Sequence, residues 1–227
     1  MPKLKPETLR QRRERILDAA ERCFADAGFH RTTMQDICKE AGISPGGLYV
    51  HFASKEDLIA GITERDRTKL AAKLADLPGA PDLLTALAKL GEHYALEEPH
   101  YKRVLCVEIG CEATRNPDVG EIYRTVDRFC RQSFEQVFAR ARESGRIAAD
   151  DDPRLLAEVV SLIGDGLLWR RAVHPDFNAE EVLPVLVRMV SELLKPVEPA
   201  KEAARAPSAK RPPPPKKTAR QRAEAAQ

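Results

Sequence analysis

The chain has 227 residues, 43% of them hydrophobic and 32% charged, with a formal net charge of +2. That length holds one small and one medium domain with a sizeable core, and the composition suits a helical globular protein. No apolar run reaches the length of a membrane span, and the N-terminal MPKLKPETLRQRR lacks the apolar core of a secretion signal, so the expected site is the cytoplasm, with no membrane partner.

The net charge conceals three regions. Residues 1–55 carry 10 Lys/Arg and 7 Asp/Glu, residues 56–195 carry 19 and 25, and residues 196–227 carry 8 and 3. A basic end and an acidic body fit a chain that meets a phosphate backbone at one end only. The five cysteines (Cys23, Cys38, Cys106, Cys111 and Cys130) form no CxxC pair, and no histidine stands at metal-ligand spacing, so neither a disulfide framework nor a metal site is expected. No nucleophile with a spaced base and no phosphate-cradling loop appears; an enzyme and a bound cofactor are therefore not expected.

In chain order, the first helix repeats Ile16, Ala19, Ala20, Cys23, Phe24 and Ala27 at i, i+3, i+4, i+7, i+8 and i+11. A second, short helix carries Met34, Ile37, Cys38 and Ala41 on one stripe, with Thr32 or Thr33 as its cap; Thr32 with Gln35 has the spacing of a capping box. Gly42 falls where a left-handed residue ends that helix, and Ser44 with Pro45 at once begins another, running to about Phe52. Residues 33–52 thus read as a helix-turn-helix. Gly46 and Gly47 in the first turn of the last helix each cost up to about 1 kcal/mol relative to alanine, so the absent side chains need a reason. Close approach of a recognition helix to double-stranded DNA supplies it. Leu48 and Phe52 face the first helices, while Tyr49 and His51 point outward as phosphate donors.

These motifs resemble the DNA-binding domain of the TetR/AcrR family of bacterial transcriptional regulators over about residues 10–70. The family's Ala-Gly pair appears as Ala27-Gly28, its Leu-Tyr-x-His/Tyr-Phe signature as Leu48-Tyr49-Val50-His51-Phe52, and its fourth helix opens with Ser54-Lys55-Glu56-Asp57-Leu58. The resemblance implies that Thr33, Ser44, Tyr49, His51 and Lys55 touch phosphates, and that Pro45, Gly46, Gly47 and Tyr49 open the helix nearest the bases. Many members carry a longer polar side chain near Gly46 or Gly47. Its absence here shifts sequence readout toward Tyr49, the main chain and DNA shape.

From 56 to 195 every segment reads as helix, giving an all-α fold of about nine helices in which a ligand-binding and dimerisation bundle over 71–195 follows the three-helix DNA-binding domain. Leu58, Ile62, Leu70, Leu74 and Leu77 stripe the fourth helix; Leu83 to Tyr94 form the next, ended by Pro99. Tyr101 to Ile109, then Val119 to Ala141, make two more. The last two, starting after Asp152-Pro153 and at Asn178, carry more apolar surface than one face of a bundle needs, so a homodimer through helices within 153–195 is expected. The resemblance implies the same pairing, and a small-molecule inducer among the middle helices. There His93, Tyr94, Tyr101, Glu108, Phe129, Phe134, Asp165 and Trp169 are the candidate contacts for an apolar or aromatic ligand. Asp165 stands in the apolar SLIGDGLLW and needs a partner: a helix N-terminus, Arg170 or Arg171, or a cationic ligand. Residues 196–227 contain Val197 as their only large apolar side chain and are expected to be a disordered basic tail.

The expected function is a homodimeric repressor that binds a palindromic operator and is released by a small-molecule inducer. An activator, or a regulator under a protein partner or no ligand, is the competing reading, and a cavity among the middle helices separates the two.

Overall fold

The computed structural model describes residues 6–197, which hold nine α-helices: α1 Pro6–Ala27, α2 Met34–Ala41, α3 Pro45–Tyr49, α4 Lys55–Ala75, α5 Leu83–Glu92, α6 His100–Ala113, α7 Pro117–Glu143, α8 Pro153–Val173 and α9 Ala179–Leu194. No strand longer than an isolated bridge occurs among the described residues. The all-α class is as the periodicity requires.

Local chemistry sets the boundaries at the DNA-binding end. Gly28 ends α1 in the left-handed region (φ 79°). Thr33, not Thr32, caps α2: its hydroxyl accepts the Asp36 N–H while the Asp36 carboxylate accepts the Thr33 N–H, a capping box with Asp36 in place of Gln35. Thr32 is instead buried, its hydroxyl donating to the Cys23 and Gly28 carbonyls and tying the turn back to α1. Gly42 at φ 63° closes α2, and Ser44 caps α3 by accepting the Gly47 N–H at 3.2 Å. That helix ends at Tyr49, shorter than its apolar spacing suggests, because Val50 to Phe52 turn to seat Phe52 in the core. α4 begins at Ser54, which accepts the Asp57 N–H at 3.1 Å.

One apolar core joins Ile16, Leu17, Phe24, Phe29, Ile37, Leu48, Phe52, Leu58 and Ile62, and it also includes Leu105 and Ile109 of α6 and Val119 of α7. Gly61 makes the α1–α4 crossing possible, since a Cβ there would lie 2.8 Å from a Phe52 ring carbon and 2.9 Å from a Leu17 methyl. A second core holds Leu74, Leu83, Val137, Phe138, Ala141, Leu156 and Leu194, with Phe134 stacked on Phe138 at a centroid separation of 6.1 Å.

α5 passes into a single π-helical turn, His93–Glu97, before Pro99 starts α6. α9 ends at Lys195 in the left-handed region, and the chain then pairs with the α7–α8 connection: Ala148 N–H donates to the Lys195 carbonyl at 2.9 Å and Val197 N–H to the Arg146 carbonyl at 2.8 Å. The tail expected from 196 therefore keeps its first two residues docked. Residues 198–227 lie outside the described residues.

Phe138→Ala removes a side chain with no exposure from the centre of the second core, which costs about 3–5 kcal/mol. Thr33→Ala removes one exposed cap at about 1 kcal/mol. Thermal denaturation of both variants should show a melting-temperature drop several times larger for Phe138→Ala.

Candidate DNA-binding face and effector cleft

α3 and its flanks present a contiguous open surface. Thr33, Ser44, Pro45, Gly46, Tyr49 and Val50 are exposed, Gly47 and His51 are half-buried, and Leu48 and Phe52 anchor the helix from behind with 0% and 3% exposure. A Cβ on Gly46 would meet nothing within 4 Å, so nothing inside the protein calls for a glycine there. On Gly47 it would meet the Ser44 hydroxyl at 3.3 Å, a contact that a small shift relieves. A helix that gives up two side chains without internal need is shaped for something outside the chain.

One expected residue leaves the face and two unexpected ones join it. Lys55 does not join the open face: its ammonium donates to the Phe29 carbonyl at 2.5 Å and lies 4.3 Å above the Phe29 ring. Its charge is held inside the fold. Arg12 and Arg13 of α1, not singled out by the sequence reading, come to the edge of the face beside His51. Burial and these two guanidiniums lower the His51 pKa, leaving a mainly neutral imidazole at neutral pH. Neither arginine has a carboxylate partner among the described residues, and Arg13 stacks on Phe52 at 4.4 Å. The signal was the basic run from Arg10 to Arg15, which the apolar stripe of α1 leaves without a task.

Among the middle helices, Cys106 of α6 has ample accessible surface, yet burial, with the Asp66 carboxylate second, pushes its thiol up to about 12. This neighbourhood of α6, α7 and α8 is the candidate effector cleft; two hollows among the described residues lie elsewhere, one lined by Arg170, His174, Phe177 and Val182 and one by Ala25, Gly28, His30 and Glu108. Tyr94 of the π turn is 38% exposed and pushed up to about 12 by burial and by Glu98 and Asp66. Tyr123 of α7 lies against Gly110 of α6, and Cys130, two turns further along the same face, is pushed up to about 11, again by burial first. With phenols and thiols held neutral, the cleft offers hydrogen bonds rather than nucleophiles.

Asp165 of α8 borders the same cleft. Burial raises its pKa, and the carboxylates of Asp127 and Glu158 raise it further. Those two share Arg131, at 3.1 Å from each, whereas Asp165 has no hydrogen-bond or ion-pair partner among the described residues. Arg170 points to His174 and Phe177, and Arg171 donates to the Ala95 carbonyl at 2.9 Å, so neither is the partner its spacing offered.

Of the eight candidate ligand contacts, only Tyr94 and Asp165 fall in this neighbourhood, each within electrostatic reach of Cys130. His93 is bound to Glu97 at 2.6 Å, Phe129 lies under the Arg67 guanidinium at 5.0 Å, and Phe134 belongs to the second core. Tyr101 sits beside Glu21 and Lys102 near α1. Trp169 is 49% exposed on a stripe of α8 with Leu155, Val159, Leu162 and Val173. Glu108 turns away toward α1, where it accepts the Phe29 N–H at 2.6 Å. Tyr123, Cys106 and Cys130 were missed because which face of α6 and α7 is left open depends on α8.

Comparison with known proteins agrees with this geometry. The model of bacterial regulatory proteins of the tetR family matches residues 16–62, and that of the BetI-type transcriptional repressor C-terminal domain matches residues 101–195. The HTH-type transcriptional regulator UidR of Escherichia coli is 31% identical over 174 residues, covering 75% of this chain and 83% of that protein. The HTH-type transcriptional repressor Rv1474c of Mycobacterium tuberculosis is 26% identical over 185 residues, covering 78% and 90%. Salmonella enterica GusR superposes with a TM-score of 0.73 at 33% identity over 86% of this chain and 100% of that one. The SmeT–triclosan complex, of the repressor of a Stenotrophomonas maltophilia efflux pump, gives 0.71 at 25% identity over 80% and 90%. The open α3 face, the all-α bundle behind it and these likenesses together establish that the chain is a DNA-binding transcriptional regulator and belongs to the TetR family.

Proposed function

We propose that the protein is a homodimeric repressor that binds a palindromic operator through α3 and releases it when a small molecule occupies the cleft bordered by Tyr94, Cys106, Tyr123, Cys130 and Asp165. The observation that carries the reading is the glycine pair at the start of an exposed helix whose own surroundings leave Gly46 free to bear a side chain. The repressor names of Rv1474c and SmeT, and a SmeT structure with triclosan, support the regulatory half.

Dimerisation follows from α8 and α9. Leu155, Val159, Leu162, Trp169 and Val173 recur at steps of four, three, seven and four residues on one face of α8 and are 41–62% exposed, and Val185 and Met189 of α9 are 43% and 53% exposed. A monomer rarely leaves such a stripe in water. Two-fold pairing then sets the two α3 helices about 34–36 Å apart, or a multiple, to match successive major grooves. In this account the domain division is residues 10–70 for DNA and 71–195 for ligand and partner.

Leu162→Lys, at the most exposed point of the stripe, should convert the dimer to a folded monomer in light scattering and reduce operator binding by more than tenfold. Dimerisation undisturbed by the charge would place the interface elsewhere.

Tyr49→Ala should weaken binding to a selected operator by about 1.5–3 kcal/mol, as expected for a hydrogen bond to a charged phosphate, without lowering the melting temperature. Arg12→Ala should reduce the slope of log affinity against log salt by about one unit. The internally bound Lys55 should affect that slope little.

A phosphate beside His51 opposes the burial and the two arginines that depress its pKa, so DNA binding takes up a proton there. Affinity should therefore rise as the pH is lowered into the acid range where the imidazole takes up its proton, and the rise should vanish in His51→Asn. A pH-independent affinity in the parent protein would remove His51 from the contact set.

A further inference from the structure

α6 serves two neighbourhoods at once. Cys106 opens on the cleft, whereas Leu105 and Ile109 are buried in the N-terminal core and Glu108 and Glu112 reach the turn between α1 and α2. At that turn the Phe29 peptide is held at both ends. The Glu108 carboxylate accepts its N–H at 2.6 Å, and the Lys55 ammonium donates to its carbonyl at 2.5 Å while covering the Phe29 ring. Lys55 is the first residue of α4, directly after the reading helix and its exit turn.

The residues around this peptide are fitted to it. Gly28 has a left-handed backbone that favours glycine, and a Cβ there would stand 2.9 Å from the Glu108 carboxylate oxygen and displace it from this position. His30 places its Nε2 2.9 Å from the buried Glu112 carboxylate, a second contact from α6 one turn along. Thr32 fastens the far side of the turn to α1 through the Cys23 and Gly28 carbonyls. The remaining contact between α1 and α6 is apolar apart from the Lys102–Glu21 ion pair at 2.5 Å, and the short charge-assisted bond from Glu108 to a backbone amide gives the turn after α1 its own directed tie to α6.

We propose that the Phe29 backbone is a two-ended latch: Glu108 is the positioning residue that fixes the turn before α2 to α6, and Lys55 holds the opposite end, so that a change in the setting of the DNA-binding face is felt by α6 chiefly through this residue. Ligand control through the latch rests on the function proposed above; the latch itself rests only on DNA binding and is tested with DNA alone. By reciprocity, whatever transmits from the cleft to α3 must also transmit from DNA to α6.

The experiment is amide hydrogen exchange over residues 100–113 of the full chain, with and without a duplex selected by the protein from random sequence. In the parent protein DNA should slow exchange in α6 by about fivefold or more, the low end of ordinary coupling between sites. Glu108→Ala and Lys55→Met should each lose that DNA-dependent slowing. Glu108→Gln should keep it, because its amide carbonyl still accepts the Phe29 N–H. A merely structural role would speed exchange in the free variants and leave the difference made by DNA intact, which would overturn the latch. If Glu108→Ala does not fold, the contrast between Glu108→Gln and Lys55→Met decides in the same way. Tight DNA binding with unchanged α6 exchange in the parent would overturn the latch alone, and failure to bind any duplex would overturn the proposed function with it.

Discussion

The helices of the DNA-binding end do not close their own core. Leu105 and Ile109 of α6 and Val119 of α7 share one buried core with Phe24, Phe29 and Ile37, so burial of the apolar surface of the DNA-binding end depends on α6 and α7. The reading face therefore has no setting independent of α6. From this dependence come both the rigidity that positions α3 and the route by which a ligand among the middle helices could disturb it.

Charged groups add direction to that apolar contact. Glu21 of α1 is 1% exposed and shared by Arg65 of α4 and Lys102 of α6, each at 2.5 Å, while Arg65 also binds Glu14 and Asp18 and Lys102 also binds Asp66. Burial disfavours the Arg65 charge, but Glu14, Glu21 and Asp18 outweigh it and raise its pKa. A buried network of this kind contributes little net stability relative to an apolar substitute, yet removing one member strands the rest. Its value lies in register: three helices, α1, α4 and α6, meet at one carboxylate.

Features read from neighbouring residues were legible in the sequence. Gly42, Ser44, Pro45 and Ser54 act within four residues of themselves, and each sits where its turn or cap chemistry requires. Even there the two threonines before α2 exchanged roles, because burial of Thr32 depends on carbonyls of α1. Partners far apart in sequence were not legible. Lys55 finds Phe29 26 residues away, and Glu108 finds it 79 residues away, so a basic residue next to a recognition helix and an acid in a middle helix looked like contacts to DNA and ligand. The cleft was half legible: its aromatic and acidic character was in the composition, but its walls follow from which faces of α6 and α7 remain open beside α8.

The central claim is that α3 is stripped for contact with DNA and not for the needs of the fold, and Gly46→Ala tests it most directly. Alanine at an unstrained helical position with no neighbour within 4 Å should raise the melting temperature or leave it unchanged, by up to about 1 kcal/mol of helix propensity. The same methyl group, projecting from the exposed first turn, should lower operator affinity at fixed salt. Measured together, higher or equal stability with weaker DNA binding is the predicted result, and equal stability with undiminished DNA binding would contradict the account.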